Sequence, residues 1–378
     1  MEPTIALVCL AFFVLYWALS SLLLRHPYLL HGDPYSPQNL KRYPRMCRNG
    51  RPLQLRHGSH RGGSAENIEN TMAAFRHAVR LHTDILELDV QLTRDGEVVV
   101  AHDNGIERLT GQNSLFAELD FADLPPLLPR VPIDFLAGQF CTAASTLRNT
   151  EPVERNGYIV DDLPVSNAKL EEDRRYCTLE EVFKAFPNMP ISVDVKVNDD
   201  RLVRAVSELI ERYDRRYITV WGNKFLSITE NCWRTNPHIP RFVCIRSLVS
   251  LLLLYYTGLL PFVPIRDSFY VPPIYAKYAF DRCGADVHGV LLFLTRVADR
   301  LIQSPRLLRH LRARGLMVAF WVLNEEHEFE RALELDAGTI TDRPTLLRDF
   351  LKKHDDERRR AETEAHEANG EVHRPHAQ

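Results

Sequence analysis

The stretch ILELDVQLTRDGEVVVAHD, residues 85–103, decides the fold class of this chain. Side chains alternate between the two faces of a strand, so Glu87 and Asp89 are predicted to project to one side while the intervening Leu and Val residues face the other. The run EVVVAHD then returns His102 to the same region. Two neighbouring carboxylates repel each other unless a positive group lies between them. The stretch therefore predicts a barrel strand whose inner face binds either a hard divalent cation or an Arg or Lys side chain.

Besides the strand ILELDVQL (85–92), seven further apolar stretches are predicted to be strands, which makes eight in all. They are LQLRH (53–57), ISVDVK (191–196), YITVWG (217–222), RFVCI (241–245), FYVPPIYA (269–276), MVAFWVLN (317–324) and GTITD (338–342). Stretches with apolar residues at three- and four-residue spacing lie between them, and this alternation indicates a parallel α/β sheet. Eight parallel strands with covering helices make a TIM-type (β/α)8 barrel, which is the fold we expect.

The predicted domain organisation is an anchor, a linker, one barrel and a tail. The ranges are 1–25 for an N-terminal transmembrane helix, 26–52 for a linker, 53–352 for the barrel and 353–378 for a charged tail expected to be disordered. The barrel is interrupted by an insertion after the second strand, residues 105–177, and by an apolar segment, residues 248–265. Long irregular insertions of this kind usually serve as loops or lids at a functional site.

The N-terminal segment is expected to anchor the chain in a membrane. From Thr4 to Leu24 there is no charged side chain, and about 20 apolar residues suffice for a helix to cross a bilayer. A cleaved signal peptide is the alternative, but SSLLLRHPY (20–28) is a poor cleavage site. Basic residues are frequent in the linker and absent before the helix, which places the barrel in the cytoplasm.

The segment LVSLLLLYYTGLLPFVPI, residues 248–265, is uncharged but is interrupted by Gly258, Pro261 and Pro264. Strands are predicted on both sides of it, and a single membrane crossing would place two parts of one barrel on opposite sides of the bilayer. We therefore expect an interfacial or re-entrant element that contacts the membrane, with a buried loop helix as the alternative.

Composition excludes some partners. The formal net charge is -3, so the chain offers no general basic surface and we expect no nucleic-acid partner. An anionic substrate would have to be bound by local cations or a metal. Seven cysteines without CxxC pairs indicate neither a disulfide framework nor a zinc ribbon, and favour a reducing compartment.

The stretch HRGGSAENIENT, residues 60–71, follows the first predicted strand and ends where a helix begins. His60 and Arg61 therefore lie at the C-terminal end of a barrel strand, where TIM barrels build their active sites. The planar guanidinium of Arg61 suits a phosphate group. Glu69 precedes the helix, and its carboxylate either caps the helix or ligates a metal.

Two histidines beside a cation provide what phosphodiester cleavage needs. One of His60 and His102 takes a proton from the attacking oxygen, the other protonates the leaving oxygen, and the metal stabilises phosphoryl charge. In ISVDVK, Asp194 and Lys196 share one face of a strand and supply a third carboxylate and a cation for the phosphate. Trp321 either walls the pocket or belongs to the core. The attacking group is either a hydroxyl of the substrate next to the phosphate, which gives a cyclic phosphate that water opens, or water itself.

Several separated motifs, in order, make the sequence resemble the glycerophosphodiester phosphodiesterase domain family. They are HRG (60–62), ENT (69–71), ELD (87–89), TRDGEVVVAHD (93–103), the strand with Asp194 and Lys196, and WVLN (321–324). The resemblance covers residues 55–351. It implies a TIM-type barrel with a small insertion after its second strand.

The resemblance also implies roles for the site residues. His60 and His102 would be the acid/base pair, and one divalent metal, Mg²⁺ or Ca²⁺, would be bound. The metal ligands that it implies are Glu87, Asp89, Glu69 and Asp194, with His102 as a further candidate. Many members have Glu where this chain has Asp194, so this ligand is one methylene shorter here.

Within the family, the anchor together with TVWGN (219–223) and TGLLPFVPIR (257–266) resembles the membrane-bound lysophospholipase D subgroup. The implied reaction is hydrolysis of lysophosphatidylcholine-like and N-acyl lysophosphatidylethanolamine-like lipids to lysophosphatidic acid, at the endoplasmic reticulum or perinuclear membrane. Two alternatives remain: a phosphodiesterase for water-soluble glycerophosphodiesters, and a catalytically silent membrane scaffold that binds lipid.

Overall fold

A computed structural model of the chain describes residues 3–134, 139–142, 153–155, 158–160, 174–274 and 289–371. The strands are β1 (Cys47–Arg48), β2 (Arg51–Pro52), β3 (His57–Ser59), β4 (Ile85–Leu92), β5 (Val98–Val100), β6 (Arg130–Pro132), β7 (Phe140–Thr142), β8 (Val153–Arg155), β9 (Tyr158–Val160), β10 (Ile191–Val195), β11 (Thr219–Gly222), β12 (Phe269–Tyr270), β13 (Met317–Phe320) and β14 (Gly338–Thr341). The helices are α1 (Pro3–Arg25), α2 (Tyr28–His31), α3 (Pro37–Arg42), α4 (Met72–Arg80), α5 (Glu107–Thr110), α6 (Leu179–Ala185), α7 (Asp200–Arg212), α8 (Leu226–Thr235), α9 (Ile245–Tyr256), α10 (Gly289–Ile302), α11 (Pro305–Ala313), α12 (Glu326–Glu334) and α13 (Pro344–Glu371).

Parallel strands form the barrel in the order β11-β10-β4-β3-β14-β13-β12. The position between β11 and β12 is taken by Arg241 and Phe242, which make single parallel bridges to Trp221 and Phe269 respectively. The sheet is therefore a nearly closed parallel barrel of seven strands within the described residues, and the predicted TIM-type fold is confirmed.

The predicted strand RFVCI (241–245) is wrong as a continuous strand. Helix α9 already begins at Ile245, with Cys244 as its N-cap, so too few extended residues remain for a ladder. The predicted strand 269–276 likewise shrinks to β12, because Pro272 and Pro273 follow it and proline has no N–H to donate. Residues 275–276 of that prediction lie outside the described residues.

Strand β4 occupies residues 85–92, as predicted. Leu86, Leu88 and Val90 are fully buried in the largest apolar cluster, which lies between the sheet and the helices around it. The antiparallel strand β5 pairs with the end of β4, and the N–H of Ala101 donates to the carbonyl of Asp89 at 2.9 Å. This pairing carries the next residue, His102, to the barrel mouth.

The predicted insertion, residues 105–177, is more structured at its ends than its composition indicated. Its described parts contain helix α5, the hairpin of β6 and β7, and two short 3-10 helices, Phe116–Glu118 and Phe121–Asp123. They contribute to an apolar cluster that also includes Ile68, Val99 and Ala101, and in it Phe116 packs edge-on against Tyr176 with ring centroids 5.1 Å apart. Much of the central portion lies outside the described residues.

The tail expected to be disordered is helical as far as Glu371, because α13 continues beyond the barrel. Its sequence is rich in Glu, Arg and Ala, which are good helix formers, and Arg358 lies 3.7 Å from Glu362 one turn later. Residues 372–378 of that prediction lie outside the described residues.

Helix α1 contains a stretch, Thr4–Arg25, that is long and apolar enough to cross a membrane. Its second half contacts the barrel: Ser20 Oγ donates to the carbonyl of Gly258 at 2.7 Å. The apolar segment 248–265 contains most of α9 and a 3-10 turn, Leu260–Phe262. Helix α9 buries Leu248 and Leu251 in the barrel core and exposes its opposite apolar face.

Candidate active site

A cavity of about 260 Å³ opens where the barrel strands end. Active sites of TIM barrels lie at this end of the barrel. The cavity brings together most of the predicted site residues, namely His60, Arg61, Glu87, Asp89, His102, Asp194, Lys196 and Trp321. The remaining predicted residue, Glu69, does not line it.

His60 lies in a 3-10 turn directly after β3. Its Nδ1 is 2.6 Å from Oδ1 of Asp342, and its Nε2 is 3.9 Å from Oε2 of Glu87. Burial disfavours protonation of His60, but the carboxylates of Asp342 and Glu87 outweigh it and raise the pKa of the imidazole above its ordinary value. The ring is thus oriented through Nδ1 and presents Nε2 to the cavity.

Asp342 was not predicted from the sequence. It follows β14, its side chain is fully buried, and its Oδ1 accepts a hydrogen bond from Ser64 as well as contacting His60. Oδ2 accepts from Nδ2 of Asn324 at 3.0 Å. Asn324 is fixed in turn, because its Oδ1 accepts from the backbone N–H of Asp342 and from Thr341 Oγ1. The position of Asp342 at the end of the strand GTITD was the signal that could have identified it.

His102 has a similar carboxylate partner on a more open side of the cavity. Its Nδ1 is 2.7 Å from Oδ1 of Asp103, and Arg108 donates to the other oxygen of the same carboxylate at 2.5 Å. Burial alone would raise the pKa of Asp103, but its hydrogen bonds to His102 and Arg108 hold it below the usual value. Each of the two predicted acid/base histidines is therefore paired through Nδ1 with an aspartate.

Arg61 is almost completely buried and its guanidinium faces carboxylates. Its Nη1 lies 3.0 Å from Oε1 of Glu69, its Nε lies 3.4 Å from Oδ2 of Asp89, and its Nη2 lies 3.2 Å from Oδ2 of Asp134. Its backbone N–H donates to Oε2 of Glu87 at 2.9 Å. The side chain predicted to bind phosphate therefore also organises the acidic residues around the cavity.

The Glu69 carboxylate neither caps α4 nor lines the cavity. Its carboxylate is buried and accepts from Arg61 and from both terminal nitrogens of Arg108, at 2.7 to 3.0 Å. The N-cap of α4 is Thr71, whose hydroxyl accepts from the N–H of Ala74. Two guanidinium groups satisfy the Glu69 carboxylate outside the cavity, apart from the other predicted metal ligands.

The remaining predicted metal ligands lie on adjacent strands. Asp194 of β10 is in register with Asp89 of β4. The ammonium of Lys196 lies between them, 2.6 Å from Oδ1 of Asp89 and 2.6 Å from Oδ2 of Asp194. Asn223, which was not predicted, donates to the other oxygen of Asp194 at 2.7 Å.

The pKa values of the Glu87 and Asp89 carboxyls are shifted in opposite directions. Burial and the nearby charge of Asp89 raise its pKa to about 7, whereas Lys196 and Arg61 outweigh the effect of burial on Asp89 and hold its pKa below the usual value. Within the described part of the chain, no three His, Cys, Asp or Glu side chains already form a metal-binding group. Lys196 occupies the space between two of the candidate ligands.

The other side of the cavity is apolar. Trp321 lines it and lies with its ring centroid 5.9 Å from that of His60. Phe225, Phe242, and Ile245 and Leu248 at the start of α9 continue this wall. The cavity thus has a charged side with both histidines and an apolar side that ends on α9.

Residues 60–346 match the sequence profile of the Glycerophosphoryl diester phosphodiesterase family. The chain belongs to this family. It is accordingly a phosphoric diester hydrolase, as the sequence motifs predicted.

Relatives within the family resemble the chain over nearly its whole length. It is 39% identical to "Lysophospholipase D GDPD1" of Homo sapiens over 93% of this chain and 98% of that protein. It is 36% identical to "Lysophospholipase D GDPD3" of Homo sapiens over 90% of this chain and 93% of that protein. The predicted resemblance to the lysophospholipase D subgroup is confirmed.

Solved structures of family members have the same fold at low sequence identity. A putative glycerophosphoryl diester phosphodiesterase from Silicibacter pomeroyi superposes with a TM-score of 0.52 at 18% identity, over 80% of this chain and 95% of that chain. The corresponding domain of Rv2277c from Mycobacterium tuberculosis gives a TM-score of 0.53 at 16% identity, over 79% of this chain and 99% of that chain. Both likenesses support the barrel fold.

Proposed function

We propose that this chain is a membrane-anchored, metal-dependent lysophospholipase D. Its substrates are lysophosphatidylcholine-like and N-acyl lysophosphatidylethanolamine-like lipids, and its products are lysophosphatidic acid and the free head group. One observation carries the proposal: a single cavity is lined by His60 and His102 on one side and by Ile245 and Leu248 of α9 on the other. A substrate with a phosphodiester and one acyl chain matches both sides, and two relatives are named for this activity.

The two histidines carry out the proton transfers. Asp342 and Asp103 each engage Nδ1 of one histidine, which leaves Nε2 as the atom that exchanges protons with substrate. One Nε2 takes the proton of the glycerol hydroxyl next to the phosphate, and this oxygen attacks phosphorus. The other histidine protonates the departing head-group oxygen. Water then opens the cyclic phosphate to give lysophosphatidic acid, so that one water is consumed in all.

A divalent cation, Mg²⁺ or Ca²⁺, fits the carboxylates of Glu87, Asp89 and Asp194 once the Lys196 ammonium, which lies between two of them, turns to the substrate phosphate. Hard cations prefer oxygen ligands, and the repulsion from Asp89 that adds to burial in raising the pKa of Glu87 is an interaction that a bound cation would relieve. A cation bound there would neutralise phosphoryl charge. Arg61 and Lys196 are the side chains of this cavity that we assign to the substrate phosphate.

We assign α1 as an uncleaved anchor that holds the barrel at the cytoplasmic side of the endoplasmic reticulum or perinuclear membrane. Its contacts argue against removal of the segment: Ser20 binds the carbonyl of Gly258, and the carbonyl of Leu24 lies 3.0 Å from Nδ1 of His310. Cleavage after this segment would leave these polar groups without their partners.

The test measures choline and lysophosphatidic acid released from lysophosphatidylcholine by membranes that contain the protein. The assay is run with Mg²⁺, with Ca²⁺ and with chelator, for the wild type and for His60→Ala. Metal-dependent release that the substitution abolishes is the expected result. Cleavage of glycerophosphocholine alone would instead establish a phosphodiesterase for water-soluble substrates, and no turnover of either substrate would favour a silent lipid-binding scaffold.

A further inference from the structure

Helix α10 carries an exposed apolar stripe. Val290, Phe293, Leu294 and Val297 are 74%, 64%, 56% and 38% exposed. Residues at this spacing lie along one face of a helix. Contiguous exposed apolar surface of this kind marks an interaction site on a soluble domain. We call these four residues the α10 stripe.

The charged residues of α10 match those of a helix that lies on a membrane. Arg296 and Arg300 are exposed beside the stripe, whereas Asp299, the only acidic residue of the helix, is buried. Interfacial helices combine an apolar face with basic residues that reach the lipid phosphates, and they lack exposed acids near the headgroups. The polarity of α10 therefore matches that of a helix at a phospholipid surface.

The stripe is continuous with elements already assigned to the membrane. At its C-terminal end, α10 is joined to α9 by a hydrogen bond of 3.1 Å from Tyr256 Oη to the carbonyl of Leu301. The outer face of α9 is itself apolar, with Val249 and Leu253 50% and 63% exposed. The turn after α9 is bound by α1 through Ser20 and Gly258. Helices α1, α9 and α10 are thus linked in series by direct contacts.

We propose that the α10 stripe lies in one leaflet of the phospholipid bilayer and that α9 and α10 together form a two-helix membrane footprint next to the anchor. This inference rests on the proposed anchoring of the chain by α1. It also gives the lipid substrate a route, because Ile245 at the start of α9 is half exposed and lines the catalytic cavity as well. A lysolipid at the edge of the footprint reaches the cavity along an apolar surface.

The direct test places an environment-sensitive fluorophore on the stripe of the full chain in phospholipid vesicles. Leu294→Cys is labelled with NBD in a background that carries Cys9→Ser and Cys283→Ser; the other cysteines are buried. Vesicles with and without nitroxide-labelled lipid then report contact with acyl chains. We expect quenching at position 294 close to that of a Leu7→Cys label in α1, and several-fold stronger than at the control position.

The control is Ala185→Cys in α6, which is exposed and precedes β10, on the far side of β11 from α9 and α10 in the strand order. A label at 294 that is quenched no more than the label at 185 overturns the proposal. A blue-shifted label at 294 without lipid quenching also overturns it, since this would show a second copy of the chain or another protein covering the stripe.

A second measurement separates this inference from the proposed catalytic function. The double variant Phe293→Asp, Leu294→Asp is compared with Tyr217→Asp, an exposed aromatic position outside the footprint. We expect turnover of bilayer-embedded lysophosphatidylcholine to fall about tenfold in the double variant alone, with hydrolysis of glycerophosphocholine unchanged in both. Equal loss on both substrates would contradict a membrane role. If the wild type cleaves neither substrate, the catalytic proposal fails, and the fluorescence result still decides the membrane footprint.

Discussion

Replacement of Asp342 by Asn is expected to inactivate His60 by changing which ring nitrogen of the imidazole carries the proton. The contacts determine which way the new amide must point. Asn324 cannot turn its own amide, because its Oδ1 accepts from the backbone N–H of Asp342 and from Thr341, so its Nδ2 must still find an acceptor at position 342. The oxygen of the new Asn therefore faces Asn324, and its NH₂ group faces Nδ1 of His60. The neutral imidazole must then carry its proton on Nε2, so this atom can no longer both accept and return a proton.

The expected cost follows from the value of one acid/base group. A correctly positioned general acid or base contributes ~10²- to 10⁴-fold to the rate, which corresponds to about 3 to 5 kcal/mol. We expect Asp342→Asn to lower kcat within this range and to leave KM within a few-fold, because the aspartate does not line the cavity itself. Release of choline by purified protein in vesicles measures both parameters, and thermal unfolding followed by circular dichroism checks that the variant is folded.

Two comparisons make the result decisive. Ser64→Ala removes another hydrogen bond to the same carboxylate oxygen but leaves the imidazole tautomer unchanged, so we expect less than about a tenfold loss from this control. His60→Ala and the double variant His60→Ala, Asp342→Asn should have equal rates if the aspartate acts through this histidine. Retention of a wild-type kcat by folded Asp342→Asn, or a much slower double variant, would refute the reasoning.

Three further changes test other parts of the structure. Glu87→Gln should reduce metal-dependent turnover by about 10². It should not lower the melting temperature in chelator, since the neutral amide relieves the repulsion from the buried carboxylate of Asp89. A lower melting temperature would show that the ionised Glu87 carboxylate stabilises the fold. Gly258→Ala should loosen α1 and increase tryptic cleavage of the linker, because φ is 75° there and the added Cβ would lie 3.0 Å from the hydroxyl of Tyr16; an unchanged digestion pattern would argue against this packing. Burial lowers the pKa of His310 to about 4, so the unfolded chain takes up this proton first, and stability should fall by about 3 kcal/mol as the pH drops from 6.5 to 4. Urea unfolding of His310→Gln should lack this part of the acid dependence, and an identical acid dependence would contradict it.

Local alternation was sufficient to predict the part of the barrel that carries the acidic residues. Strand β4 has the predicted bounds, and Glu87 and Asp89 line the cavity while Leu86, Leu88 and Val90 pack in the apolar cluster. The segment around Phe242 was predicted less well, since its extent is set by where α9 begins and by pairing with distant strands. Such long-range effects are not visible in a window of a few residues.

The same distinction explains which site residues were found. His60, Glu87 and Asp89 were recognisable because each belongs to a short motif next to a predicted strand. Asp342 comes 282 residues after its imidazole partner, and only closure of the barrel brings them together. Glu69 was assigned to a metal because its sequence neighbourhood shows a carboxylate but does not show the two arginines that neutralise it.

The Lys196 ammonium, which separates Asp89 from Asp194, has a consequence for how the protein folds. A site built only from bare carboxylates would oppose folding until an ion arrived, because burying like charges is costly. Here Lys196 supplies an internal counterion at 2.6 Å from each carboxylate. The newly made barrel can therefore close without the proposed metal, whose availability would then govern when the folded enzyme is active rather than whether it folds.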